Sequence, residues 1–187
     1  MPEQKSHRLP TTVTPERYAI RLTPDLTTWT FTGEESVTVQ IHQPVREIML
    51  NAAELEIQSV SIKDANGKVV DGSVTLDSDN EQARLSFAAD LPPGQSELAL
   101  KFSGVLNDKL HGFYRSTYKG ADGQDKPLAS TPFESTDARR AFPCWDEPAF
   151  KAVYHVALVV DEKLVAISNA GIVRETLLPG KIGRAHV

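Results

Sequence analysis

The 187-residue chain carries 20 Lys+Arg against 25 Asp+Glu, a net charge of −5, with 40% hydrophobic and 24% charged residues. That composition is ordinary for one globular domain long enough to bury a real core, and it argues against disorder. The acidic balance argues against a nucleic-acid surface, and no apolar run nears the roughly 18 residues of a membrane span.

In chain order, residues 1–7 read as an N-terminal tail, charged and without the apolar stretch of a signal peptide. Tyr18, Ile20 and Leu22 predict an early strand, and Val37, Val39 and Ile41 alternating with Thr38 and Gln40 predict a second, ended by His42. Leu50 to Ile57 admits a short helix, but the flanking alternation favours strands. Leu55 and Ile57 fall out of phase with Val60 and Ile62, which predicts a bulge. Asn66-Gly67 predicts a hairpin with a type I′ turn. Asp71-Gly72, Asp77 to Asn80 and Pro92-Pro93-Gly94 predict further turns around Val74, Leu76, Leu85 and Phe87. Leu98, Leu100 and Phe102 give another strand, and Lys119 to Pro127 reads as an exposed loop. Val153 to Val160 is a β-branched run fit to be buried on both faces, with His155 a satisfied sheet residue. Val165 and Ile167 open one more strand. Short strands and frequent turns together predict an all-β, antiparallel sandwich or barrel.

Ser130 to Lys151 breaks this pattern. Ser135 or Thr136 is placed to cap a short helical turn through Asp137 to Arg140, and Pro143 and Pro148 stop regular structure. Phe133, Phe142, Trp145 and Phe150 ask for burial, whereas the charges resist it unless paired. The expectation is a structural knot in which Arg139 and Arg140 grip carboxylates bidentately, with Asp146, Glu147 and Lys151 as its other members. Glu134 precedes the knot. Its residue type leaves two readings open: a paired structural acid, or a carboxylate offered to a cation in a neighbouring cleft. Cys144 is the single cysteine; it has no disulfide partner, fits a reducing, cytoplasmic compartment and reads as a buried inert thiol. The five histidines include no pair at i, i+4, so no HExxH and no metal site is expected, and no phosphate loop or nucleophile elbow occurs.

The run Asp137-Ala138-Arg139-Arg140-Ala141-Phe142-Pro143-Cys144-Trp145-Asp146-Glu147-Pro148, followed by Lys151-Ala152, resembles the N-terminal-domain signature of the zinc aminopeptidases related to aminopeptidase N, the puromycin-sensitive branch above all. Arg8-Leu9-Pro10 with Pro15, Tyr18, Pro24-Asp25-Leu26, Phe31 and Gly33 is similar to the family's opening strand. Leu106-Asn107-Asp108 with Gly112-Phe113-Tyr114-Arg115-Ser116, and Ser168-Asn169, agree as well. The resemblance covers about residues 8–173. It implies a saddle-shaped β-sandwich N-terminal domain that packs on a catalytic domain of the same parent chain. The zinc cofactor would be bound there, by an HExxH motif and a downstream Glu, beside a GAMEN-type loop. It also implies that Glu134 contacts the α-ammonium of a peptide substrate, with Phe133 lining the first side-chain pocket. Where family members often carry Gln two residues before this acid, the chain has Pro132, which offers no side-chain donor or acceptor.

On this reading the chain is the substrate-anchoring part of a metalloaminopeptidase, residues 8–180, and is inactive alone. Peptides with free N-termini and the parent catalytic domain are its partners, not nucleic acid or membrane. The alternative is a stand-alone β-sandwich binding module. Residues 181–187 show no strand pattern and read as a non-native tail of a truncated gene model.

Overall fold

The computed structural model of the chain describes residues 8–186, so the N-terminal tail expected over residues 1–7 lies outside them. Twelve strands run in chain order: β1 Val13–Asp25, β2 Thr30–Ile41, β3 Val45–Asn51, β4 Leu55–Lys63, β5 Val69–Asp77, β6 Gln82–Leu91, β7 Gly94–Val105, β8 Tyr114–Lys119, β9 Asp125–Ser130, β10 Val153–Asp161, β11 Ile172–Leu178 and β12 Lys181–His186. The only helical turn among the described residues is a 3₁₀ turn, Ala138–Arg140.

Ten strands join in the order β11-β12-β10-β1-β2-β7-β4-β5-β6-β3, and β8 pairs only with β9. Every ladder is antiparallel except β1 with β10, which is parallel. The long connection from β9 to β10 makes that parallel pairing possible, and the unusual segment lies within it. β5 changes partner along its length: Val69 to Asp71 pair with β4 and Gly72 to Asp77 with β6. Asp71-Gly72 is therefore no turn but the point where one strand passes between two layers. Inward side chains of both layers, among them Ile48, Leu50, Leu85, Val37, Leu98 and Phe102, form one core.

Period-two alternation holds where the core lies. Tyr18, Ile20 and Leu22 are buried on β1, as are Val37, Val39 and Ile41 on β2. The expected phase shift in β4 is real, since the ladder with β7 slips between Ile57 and Ser59. The hairpin at Asn66-Gly67 also forms, but its turn differs from type I′. Gly67 N–H closes onto Asp64 O at 2.8 Å, and of the two central residues only Gly67 has positive φ. The Asp64 carboxylate accepts from Asn66 N and Lys68 N, which favours this wider loop.

The structure departs from expectation at four other places. Lys119 to Pro127 is not all loop, because β9 begins at Asp125; Pro127 is tolerated because this hairpin has no further strand beside it. β10 is half exposed at its start, with only Val159 and Val160 well buried. Val165 and Ile167 open no strand and are 78% and 83% exposed; two alternating apolar residues with no partner edge cannot hold one. Lys181–His186, expected to lack strand structure, pairs along both β10 and β11. Its backbone meets two edges after the left-handed turn at Gly180, so pairing needs no side-chain alternation.

Candidate functional site

Residues 130–152 fold against the edge of the core where β1 meets β10. Asn51, at the end of β3, bridges to Cys144 through Asn51 N to Cys144 O (2.7 Å) and Cys144 N to Asn51 O (3.0 Å). The Asn51 side chain accepts from Asp146 N at 3.2 Å. A buried amide thus satisfies backbone that carries no ladder of its own. Trp145 is buried and its backbone N–H donates to the Tyr18 hydroxyl at 3.2 Å. Burial pushes the Tyr18 hydroxyl pKa far above its ordinary value and that of Tyr154 up to about 12, so both rings stay neutral.

The aromatic side chains form a run from core to surface. Tyr154 stacks on Tyr18 at 4.8 Å, Tyr18 meets Phe142 edge-on at 6.1 Å, and Phe142 meets Phe133 edge-on at 6.0 Å. Phe133 is therefore held on the core by ring contact. Glu134 follows it in an irregular turn, exposed, and among the described residues its carboxylate has no hydrogen-bond or ion-pair partner. Pro132 O accepts from Gly112 N at 3.1 Å and Phe133 O from Asp137 N at 3.0 Å. The carboxylate is free, while the backbone on either side of it is tied down.

The expected arginine knot exists with a different membership. Arg139 donates to Asp146 Oδ2 at 2.9 Å and Glu81 Oε2 at 3.2 Å. Arg140 donates to Asp137 Oδ1 and Glu54 Oε1, each at 2.9 Å, and to Glu81 Oε1. Neither arginine forks a single carboxylate; each spreads over two or three, and Glu81 joins them. Burial disfavours the Arg140 charge, yet the Asp137 hydrogen bond with the charges of Glu81 and Glu54 holds its pKa above the ordinary value. Asp137, not Ser135 or Thr136, stands before the 3₁₀ turn, and its carboxylate goes to Arg140 instead of capping. Among the described residues Glu147 pairs with no arginine: it accepts from Leu9 N at 2.6 Å and pins the start of the described chain. Lys151 is exposed and stands outside the network.

Glu54 and Glu81 escape sequence reasoning because each lies in a turn far from the motif. Both have positive φ, 57° and 52°, a conformation that costs a side-chain-bearing residue free energy. Gly112 gives no sign in the sequence of its own place in the cluster. It sits at φ 66°, and a Cβ placed there would lie 2.6 Å from Arg140 Cβ, so no larger residue fits without displacing the arginine.

Cys144 is free and buried, and desolvation pushes its pKa well up, as expected of an inert thiol. His155 Nε2 lies 2.6 Å from Arg17 Nη1, and His42 bonds Thr14 at 3.0 Å. Among the described residues no group of three or more His, Cys, Asp or Glu could hold a metal. No helix among them is long and apolar enough to cross a membrane.

Residues 14–181 match the family described as the peptidase M1 N-terminal domain. Aminopeptidase M1-D of Oryza sativa subsp. japonica is 46% identical over 170 residues, covering 91% of this chain and 19% of that protein. Aminopeptidase M1 of Arabidopsis thaliana is 45% identical over 172 residues, 90% of this chain and 20% of the relative. Puromycin-sensitive aminopeptidase of Caenorhabditis elegans is 42% identical over 176 residues, 92% and 18%. The chain thus spans about a fifth of the length of these relatives.

Proposed function

Because the chain belongs to the peptidase M1 N-terminal domain family, we propose that it is the substrate-anchoring domain of a zinc metalloaminopeptidase, with Glu134 receiving the α-ammonium of a peptide. An exopeptidase must separate a free amine from an internal amide. Glu134 is exposed here; once the parent catalytic domain and the peptide exclude water from it, its carboxylate would do so, because an ammonium pairs with it and a neutral amide leaves it unpaired. The observation that carries this reading is the unpaired Glu134 carboxylate between two tied backbone positions. Phe133, anchored on Phe142, would border the first side-chain pocket.

The described residues do not fit a zinc site. His42 and His155 are committed to Thr14 and Arg17, and His111 lies against Asp137. Zinc would be held by the remainder of a parent polypeptide, and the 187-residue chain alone would not hydrolyse peptides. A cytoplasmic location belongs to the same proposal, supported by the one unpaired thiol.

The test is Glu134→Ala in the full-length enzyme. The expected loss in kcat/KM for peptides with a free N-terminus is on the order of 2–5 kcal/mol, as for a desolvated charge pair that loses a partner. Unchanged kinetics would remove Glu134 from the site.

A further inference from the structure

We infer that Asp137, Arg140 and Gly112 act as positioning residues for Glu134. They would fix where the carboxylate meets a peptide N-terminus, and this inference rests on the function proposed above. Among the described residues no hydrogen bond or ion pair holds the Glu134 side chain, so its place is set through the backbone beside it. Two hydrogen bonds do that: Gly112 N to Pro132 O at 3.1 Å, and Asp137 N to Phe133 O at 3.0 Å. Both donors belong to one cluster. The Asp137 carboxylate accepts from Arg140 Nε at 2.9 Å and lies 3.4 Å from His111 Nδ1. Gly112 packs its bare Cα against the Arg140 stem.

Left-handed backbone occurs at two of Arg140's partners and in the loop that carries Gly112. Leu110 and Gly112 have φ of 64° and 66°, and the two acids on Arg140, Glu54 and Glu81, have 57° and 52°. The Arg140 guanidinium thus holds two side-chain-bearing residues, Glu54 and Glu81, in the left-handed region, and such strain persists only where the surroundings over-determine the geometry. The guanidinium gathers carboxylates from three separate stretches, Glu54, Glu81 and Asp137, and through Asp137 and Gly112 this cluster is tied to the backbone of Pro132 and Phe133.

The test compares three variants of the full-length enzyme: Gly112→Ala, Asp137→Asn and Glu134→Ala. Each is assayed for inhibition by a dipeptide with a free α-amine and by its des-amino analogue, with thermal melts in parallel. The ratio of the two affinities isolates recognition of the ammonium, which a merely structural role would not move. Misplacing the carboxylate by about an ångström in Gly112→Ala or Asp137→Asn should lower that ratio roughly tenfold or more, with kcat changed less than KM. A ratio that falls in Glu134→Ala but stays unchanged in the other two overturns the positioning role and leaves the proposed function intact. A ratio unchanged in Glu134→Ala overturns both. Should Gly112→Ala fail to fold, the isosteric Asp137→Asn decides alone.

Discussion

Replacing Glu35 by glutamine should flatten the pH dependence of the chain's stability above the pH at which an unfolded glutamate ionises. Glu35 lies on the inward face of β2, opposite Ile20 of β1 and Leu100 of β7, and is 4% exposed. Both carboxylate oxygens are buried without a hydrogen-bond partner among the described residues. Tyr18, Cys144 and Tyr154 lie within electrostatic reach, and none of them is a cation. Desolvation therefore pushes the Glu35 pKa well above its ordinary value. An unfolded glutamate releases its proton near pH 4.3. Folding therefore takes up a proton above that pH, and stability falls as pH rises toward the folded pKa. One proton of difference amounts to about 1.4 kcal/mol per pH unit between the unfolded and the folded pKa. Urea unfolding at several pH values, wild type against Glu35→Gln, reads this as a difference of slopes, in which other titrating groups cancel. Glu35→Leu should go further and raise stability at pH 7 by about 1–4 kcal/mol, because it removes the orphaned polar atoms as well. Parallel pH–stability curves for wild type and Glu35→Gln would refute the reasoning.

Two other outcomes follow from the buried segment. Arg139→Ala should cost about 3 kcal/mol, because Asp146 is left buried without its guanidinium; an unfolding free energy from denaturant titration that falls by less than about 1 kcal/mol would show that the pair carries little. Cys144 should resist a thiol-specific reagent in the native chain at neutral pH and react fully once unfolded, and rapid stoichiometric labelling of folded protein would contradict its burial.

Strands that face the shared core are legible because alternation is a local signal. The bulge in β4 can be read from four residues, Leu55, Ile57, Val60 and Ile62, for the same reason. Asp71-Gly72 misleads because a glycine serves a strand that changes partner as readily as it serves a turn. β12 escapes notice because its pairing is made by backbone, which leaves no side-chain signature. Within the candidate site, the arginines and aromatics are visible as a dense motif, and Glu134 as an acid standing before it. The acids that complete the cluster are not, since Glu54 and Glu81 arrive from loops about 58 to 86 positions away from the arginines they bind. Charge alone assigns Glu147 and Lys151 to the cluster, but a backbone donor takes one and solvent the other. Glu35 carries no sequence signal, because a single acid in an alternating run reads as an outward residue that has slipped its phase.

The partner change within β5 ties the two layers of the core by covalent bonds as well as by packing. Peeling β3 and β6 away would drag the second half of β5 with them and fray its first half from β4. Amide protons on the two sides of Gly72 should then exchange with closely matched protection, as members of one opening event. A nick in the turn at residues 78–80 would spare every ladder, whereas a nick beside Gly72 would turn one cooperative body into two that can part company.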